Sequence, residues 1–413
     1  MKEVAIVSAV RTPIGNFGGS LRTVPAYDLA PVVLNEVIKR ANIEAGSVEA
    51  VIMAQNYQNG EYVNIARMGL LKAGWPVEVP GFTIDRRCPS SLDATCFATM
   101  MIQTETADIV VSGGVESMST AEFYIRGEAR WGIGGSGDAP RGHGSLATWG
   151  MPLYDRALRG RVMSQPEERF GIIPSMMAWA ETAAKEYNIS REEIDKWALL
   201  SNQRACAAIS SGKFNEESVP VPVPQSRGEP TLFTQDERPR PDTTLEALSK
   251  LRAVMGGVCT AGNSAGENDG ASACVLMSDE KARELNLKPM AYVKSFAFSG
   301  ADPRYAWKSV PAAVDKALKK AGLTLDQIDL IELHEAFAAQ VRANFRELGL
   351  TEKDADRVNV NGSCVSLGHP LGATGTRILT TLLYEMERRN ARYGLEAICG
   401  GGGMGICAIV ERK

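Results

Sequence analysis

Only three histidines, His143, His334 and His369, stand among the 413 residues, so imidazole chemistry is confined to them. Thiols are offered by eight cysteines, at positions 88, 96, 206, 259, 274, 364, 399 and 407. Cys88 has the most telling surroundings, in PGFTIDRRCPSSLDATCFATMM (80–101). Phe82, Thr83 and Ile84 read as a short strand, while Leu92, Cys96, Ala98, Thr99 and Ile102 recur at helical spacing, so the chain turns from strand to helix at Cys88. Pro89 suits the first helical position, which sets Cys88 at the N-cap. There the unpaired N–H groups and the helix dipole favour a thiolate, as does a nearby Arg86 or Arg87. That is the setting of a nucleophile; the alternative, open at this point, is a buried and inert thiol.

His369 lies in NGSCVSLGHPLGATGTR, whose glycines permit close backbone approach. Pro370 places the imidazole at a helix N-terminus, where imidazolium is disfavoured and a neutral base is kept. His334 follows the strand DLIEL, either as a cap for the next helix or as a member of a site at the strand end. His143, in RGHGS, reads as solvated. Three glycine patterns point elsewhere. Gly400, Gly402 and Gly405 match GxGxxG but lead into a further strand, and Gly132, Gly134 and Gly137 follow no strand, so neither supports a dinucleotide site. Gly262, Ser264 and Gly266 match the GxSxG elbow with a poor helix after it, which leaves a serine hydrolase acting through Ser264 as the weaker alternative.

The elements that must position these groups are of α/β type. VAIVSAV (4–10) reads as a strand, Tyr27 to Ala41 as an amphipathic helix, VEAVIMA (48–54) as a second strand, and DIVVSGGVESMS (108–119) as a strand after the Cys88 helix. The C-terminal third repeats the plan. ANIEAGSVEAVIM (41–53) lies over AGLTLDQIDLIEL (321–333) at an offset of 280, each after an amphipathic helix. The same offset carries Cys88 to 368, beside His369 and its own following proline, and DIVVSGG has a later partner in EAICGGG (396–402). A duplicated unit accounts for all four coincidences, and a pseudo-twofold between the halves brings Cys88 and His369 together from equivalent positions. Between the halves, Tyr124 to Phe170 reads as long loops over a site. Two helices follow, Ser175–Tyr187 and 190–212, the second with a capping box of Ser190 and Glu193 and a stop at Gly212. VPVPVP (219–224) is an edge or linker segment, and Arg238 and Arg240 precede a further helix. The expected division is an N-terminal half over 1–119 and 251–280, an inserted loop domain over 120–250, and a C-terminal half over 281–413.

Composition narrows the class. Charged residues are 23% and hydrophobic ones 44%, with a net charge of −4, which argues against disorder and against a nucleic-acid partner. No apolar run approaches a membrane span, MKEVAIVSAVRTP lacks a signal h-region, and AIVERK carries no peroxisomal address. With no CxxC pair, a reducing, cytoplasmic setting is expected.

Along nearly its whole length the chain resembles the thiolases, the acetyl-CoA acetyltransferases and 3-ketoacyl-CoA thiolases. RTPIGNFGGSL, the ESMS after Gly114, TAGNSAGENDGASA (260–273), GHPLGATGTR and CGGGMG carry the resemblance. It implies a five-layered αβαβα fold of two similar βαβαβαββ halves with an inserted loop domain, assembled as homodimers or homotetramers. It implies fatty acid metabolism, CoA and acyl-CoA as substrates, and no metal or permanently bound cofactor. By the resemblance Cys88 is the acylated nucleophile, His369 takes its proton and helps bind the thioester oxygen, and Cys399 is the second base and acid in Claisen condensation or thiolysis. The N–H groups of Cys88 and Gly401 form one oxyanion hole, and His369 with a group held by His334 forms another. Arg240 approaches the CoA nucleotide, Met176 covers the pantetheine, and Ala265 stands where a serine commonly contacts the CoA chain. His334 also departs from a common asparagine. Pro89 and Ser91 narrow the room for the acyl group, and Tyr305 to Ser309, YAWKS, replaces a segment that lines the acyl pocket. Acyl length is therefore expected to depend on 124–174 and on YAWKS. The competing class is a CoA-binding partner subunit that no longer condenses.

Overall fold

The computed structural model describes residues 2–127, 129 and 152–413; His143 and the glycines at 132, 134 and 137 lie outside them. The first half runs β1 (Val4–Arg11), α1 (Ala26–Ala41), β2 (Ala50–Ala54), α2 (Ile65–Lys72), β3 (Gly81–Ile84), α3 (Ser90–Gln103) and β4 (Ile109–Ser117). An insertion carries α4 (Arg156–Val162), α5 (Met176–Glu186) and α6 (Arg191–Ser210), and β5 (Asn268–Ser278) then returns to the sheet. The second half runs β6 (Ala291–Gly300), α7 (Ser309–Ala321), β7 (Leu330–Leu333), α8 (Ala338–Glu347), α9 (Thr374–Arg388), β8 (Tyr393–Gly400) and β9 (Met404–Glu411).

The strands line up as β7-β8-β9-β6-β1-β5-β4-β2-β3, and the halves join where Ala5 and Ile6 of β1 pair with Tyr292 and Ala291 of β6. Both faces of the strands are covered. In β2, Val51 and Met53 face the cluster under α1, while Ala50 and Ile52 face the cluster around α3 and α9. Burial on both faces is why the strand, AVIMA (50–54), is an unbroken apolar run. Five layers result: α1 and α2, the strands of the first half, α3 with α9, the strands of the second half, and α7.

The two central helices meet across the duplication. Gly375 of α9 faces α3 so closely that a Cβ there would lie 2.4 Å from the Leu92 nitrogen. One residue on, the Thr376 N–H donates to Ser91 Oγ at 3.0 Å and its hydroxyl to the Ser91 carbonyl at 3.1 Å. Ser91 thus faces the other half, and the expectation that it narrows the acyl space is corrected.

The repeat is not uniform. Ala50 opens β2 and Leu330 opens β7, 280 residues on, but Ser90 and Thr374, which open the central helices, are 284 apart. Where the first half has β3, the second has a single bridge between Ile331 and Val358. In the insertion, Ser190 caps α6 by accepting the Glu193 N–H at 3.1 Å. The expected capping box is not closed, because the Glu193 carboxylate turns to Arg342 and Arg346 instead. Val221–Val223 pairs only with Thr231–Phe233, as its prolines require. Among the described residues no helix is long and apolar enough to cross a membrane.

Candidate active site

Cys88 lies in the turn between β3 and α3. Asp85 Oδ1 accepts the Arg87 N–H at 2.7 Å, and the Ser90 N–H closes the turn on the Arg87 carbonyl at 3.0 Å. Pro89 takes the capping position and Ser90 is the first helical residue, so Cys88 sits one residue further out than the sequence predicts. Its sulfur is not poised as a thiolate either. Burial pushes the Cys88 pKa up to about 12, against the Gly401 N–H, the Cys88 N–H and Arg87, which pull it down. Arg86 is engaged elsewhere, with Asp93 at 2.7 Å and over the Phe298 ring.

His369 is fixed at three points. Its N–H donates to Asn268 Oδ1 at 2.9 Å, its Nδ1 meets Thr374 Oγ1 at 2.7 Å, and its Nε2 lies 3.1 Å from Cys88 Sγ. Gly368 before it has φ +110, and a Cβ there would come within 2.6 Å of the Asn268 side chain, so the approach needs glycine. The pKa of His369 is held well below the usual imidazole value, by burial first and then by His334 and Arg377. A protonated thiol therefore faces a neutral imidazole.

His334 follows directly after β7, with its ring centroid 4.5 Å from that of His369 and its Nδ1 3.8 Å from Cys399 Sγ. Burial, with Arg377, pushes its pKa down to about 3. Its Nε2 is buried without a hydrogen-bond partner. Cys399, near the end of β8, is buried with its thiol pKa well above normal, by burial first and then by Cys88. The β8–β9 hairpin at Gly400–Gly403 brings the Gly401 N–H to the Cys88 sulfur. Gly400 also accommodates Pro89, whose Cδ lies 2.7 Å from the position of a Cβ there.

These groups converge on a cavity of about 320 Å³ lined by Cys88, His369, Cys399, Gly401, Met176 and Ala265, while His334 sits behind His369. Arg240 is exposed, and its backbone is held by the Asn202 side chain. Arg238, two residues earlier, lines the cavity and donates to the Val365 and Ser264 carbonyls. No residue of the YAWKS segment lines the cavity; Trp307 is buried and stacks on Trp179, which does. The segment thus meets the cavity through Trp179, whereas Gly160, Arg161 and Ser164 of the inserted loops line the space. Ser264 also lines it, but the chain after Ser264 runs into β5 and not into a helix, and its hydroxyl has no hydrogen-bond partner. The hydrolase elbow is not formed. A larger space of about 530 Å³ between α6 and α8 is lined by paired charges, among them Glu193, Arg342 and Arg346, far from these groups in kind.

Three residues were missed from the sequence. Glu116 is buried and accepts the N–H groups of Asn56, Tyr57 and Gly372, tying the turn after His369 to the first half. Burial raises its pKa to about 7. Cys364 receives a hydrogen bond from buried Arg377 at 2.9 Å, and its sulfur lies with ring nitrogens of His334 and His369 within 4.8 Å, a grouping of metal-ligand type. Its place in the same run as His369 was the available signal.

Fold and cavity together define an acyltransferase acting on CoA thioesters, built from two repeats. The chain belongs to the thiolase family: residues 4–280 match "Thiolase, N-terminal domain" and residues 287–412 match "Thiolase, C-terminal domain". It is 42% identical to an acetyl-CoA acetyltransferase of Pseudomonas aeruginosa and 41% identical to a beta-ketoadipyl-CoA thiolase of Acinetobacter baylyi, in each case over 100% of both chains. Human mitochondrial 3-ketoacyl-CoA thiolase in complex with CoA superposes with a TM-score of 0.89 at 35% identity, covering 100% of this chain and 98% of that one. The activity is that of a condensing thiolase, which forms or cleaves 3-oxoacyl-CoA with CoA as a substrate.

Proposed function

We propose that Cys88 carries the acyl group and that His369 and Cys399 divide the proton transfers between them. Supporting this above all is the 3.1 Å contact of His369 Nε2 with Cys88 Sγ in a cavity that Cys399 also lines. As the sulfur attacks the thioester carbonyl, its proton passes to His369, which the low pKa keeps ready as a base. The oxyanion meets the N–H groups of Cys88 and Gly401. Cys399 gives its proton to the departing CoA thiolate, and the thiolate so formed takes the α-proton of a second acetyl-CoA. The enolate oxygen is met by His369 together with a group on the unpartnered Nε2 of His334. Attack of the enolate on acyl-Cys88 releases the Cys88 sulfur, which recovers its proton from His369. Thiolysis is the reverse.

On this reading CoA lies along Met176 and Ala265 with Arg240 toward its nucleotide. The halves are 1–119 with 251–280 and 281–413, around the insertion 120–250. The protein works in the cytoplasm as a homodimer or homotetramer on the 3-oxoacyl-CoA esters of fatty acid metabolism. Peptide mass spectrometry after incubation with acetyl-CoA tests the first step. An acetyl group on the Cys88 peptide is expected; none, or one on Ser264, contradicts it.

A further inference from the structure

Among the buried thiols that take no part in the reaction, Cys364 stands with two imidazoles. It opens the helical turn Cys364–Leu367, and Gly368, at φ +110, redirects the chain into His369. His334 reaches the same point from β7. One ligand atom from each of His334, Cys364 and His369 lies within 4.8 Å of the other two, and the residues are 0, 0 and 8% exposed. Two ligands from one short turn and a third from a distant strand end make a set that zinc sites use.

The unused nitrogens point the same way. Each ring has a partner at Nδ1, Thr374 Oγ1 at 2.7 Å for His369 and Cys399 Sγ at 3.8 Å for His334, which leaves Nε2 of each to meet an ion. The Nε2 of His334 is buried with no hydrogen-bond partner among the described residues, a cost that a bound group would remove. Carboxylate ligands are not on offer. Glu335, next to His334, is engaged by Trp197, Ser201, Asn359 and the Val365 N–H. Two imidazoles and a thiol select a zinc-like ion over magnesium or calcium. Arg377 is the opposing charge, since its Nη2 donates to Cys364 Sγ at 2.9 Å. The same N–H favours the thiolate and can still donate to a metal-bound sulfur, so it weakens the site without closing it.

We propose that His334, Cys364 and His369 form an inhibitory site for zinc or an ion of its class. Ligation exchanges the Cys364 S–H proton, which leaves to solvent, for the metal. It also takes His369 Nε2 away from Cys88 and fills the place beside His334 where the enolate oxygen is met. Binding stands on the geometry, while the loss of activity rests on the reading of His369 as the base that serves Cys88.

The test dialyses the native full chain against Zn²⁺ or Mg²⁺, counts the bound metal and follows thiolysis. One zinc per chain is expected, with activity lost in step and restored by a chelator, and no such binding of magnesium. Cys364→Ala should weaken zinc binding by about a hundredfold or more. If that variant does not fold, Cys364→Ser, which keeps the volume and offers a poor zinc ligand, is measured in its place. No stoichiometric zinc, or magnesium held as tightly, overturns the proposal. So does unchanged affinity in the Cys364 variant, which would put the ion on Cys88 and Cys399 alone. Zinc bound through Cys364 with thiolysis undiminished would keep the site and overturn instead the role given to His369.

Discussion

Cys88 and His369 come from the same station of two repeats, the approach to a central helix, yet they arrive differently. In the first half a tight turn places the thiol two residues before Ser90, the start of α3. In the second half His369 stands five residues before Thr374, the start of α9, and the turn Leu371–Ala373 fills the interval. That longer approach lets the imidazole reach Thr374 with Nδ1 and Cys88 with Nε2 at once. Counting back equally from the two helix starts would put Gly372, not His369, opposite Cys88. The duplication sets where the two groups meet, and the unequal turns set which atoms touch.

Removing the imidazole tests the contact most severely. His369→Asn should slow acylation of Cys88 by about 10²–10⁴-fold with the fold intact, measured as the burst of CoA release. An undiminished burst would mean that the contact across the halves is not used.

The docking of the halves is probed at Gly375. A Cβ there meets the Leu92 backbone at 2.4 Å, where neither partner can rotate away. Gly375→Ala should cost about 1–3 kcal/mol in chemical denaturation. The same change at Gly322, an exposed left-handed helix stop with nothing within 4 Å, should cost only its backbone strain. Equal losses at both sites would deny that α3 and α9 are pressed together.

A gentler test reads the resting state of the pair. With the thiol pKa up at about 12 and imidazole held neutral, the thiolate fraction of Cys88 is small at neutral pH and rises about tenfold per pH unit. Alkylation of Cys88 by iodoacetamide should therefore keep climbing from pH 7 to pH 10. A plateau beginning near pH 7 would reveal a preformed thiolate–imidazolium pair.

Much of this was legible in the residues. The offset of 280 holds between 41–53 and 321–333 because buried strands and the helices before them tolerate few insertions, so the repeat survives as pattern. The drift to 284 accumulates between β7 and α9, in turns whose composition carries no period. The convergence of Cys88, His369, Cys399 and Gly401 was readable through family motifs, since Cys399 by itself resembles any small residue in a strand. Arg377 was hidden because an arginine inside a helix reads as solvated, yet it is buried and donates to Cys364. Arg87 was legible only as charge near a thiol; its turn into the cavity depends on a backbone angle that composition does not encode.

The division of labour between the two thiols is tested most directly by Cys399→Ala with deuterated acetyl-CoA. The variant should still place an acetyl group on Cys88 while losing exchange of the α-deuterons with solvent. Exchange at the native rate in the variant would contradict the assignment of the second proton transfer to Cys399.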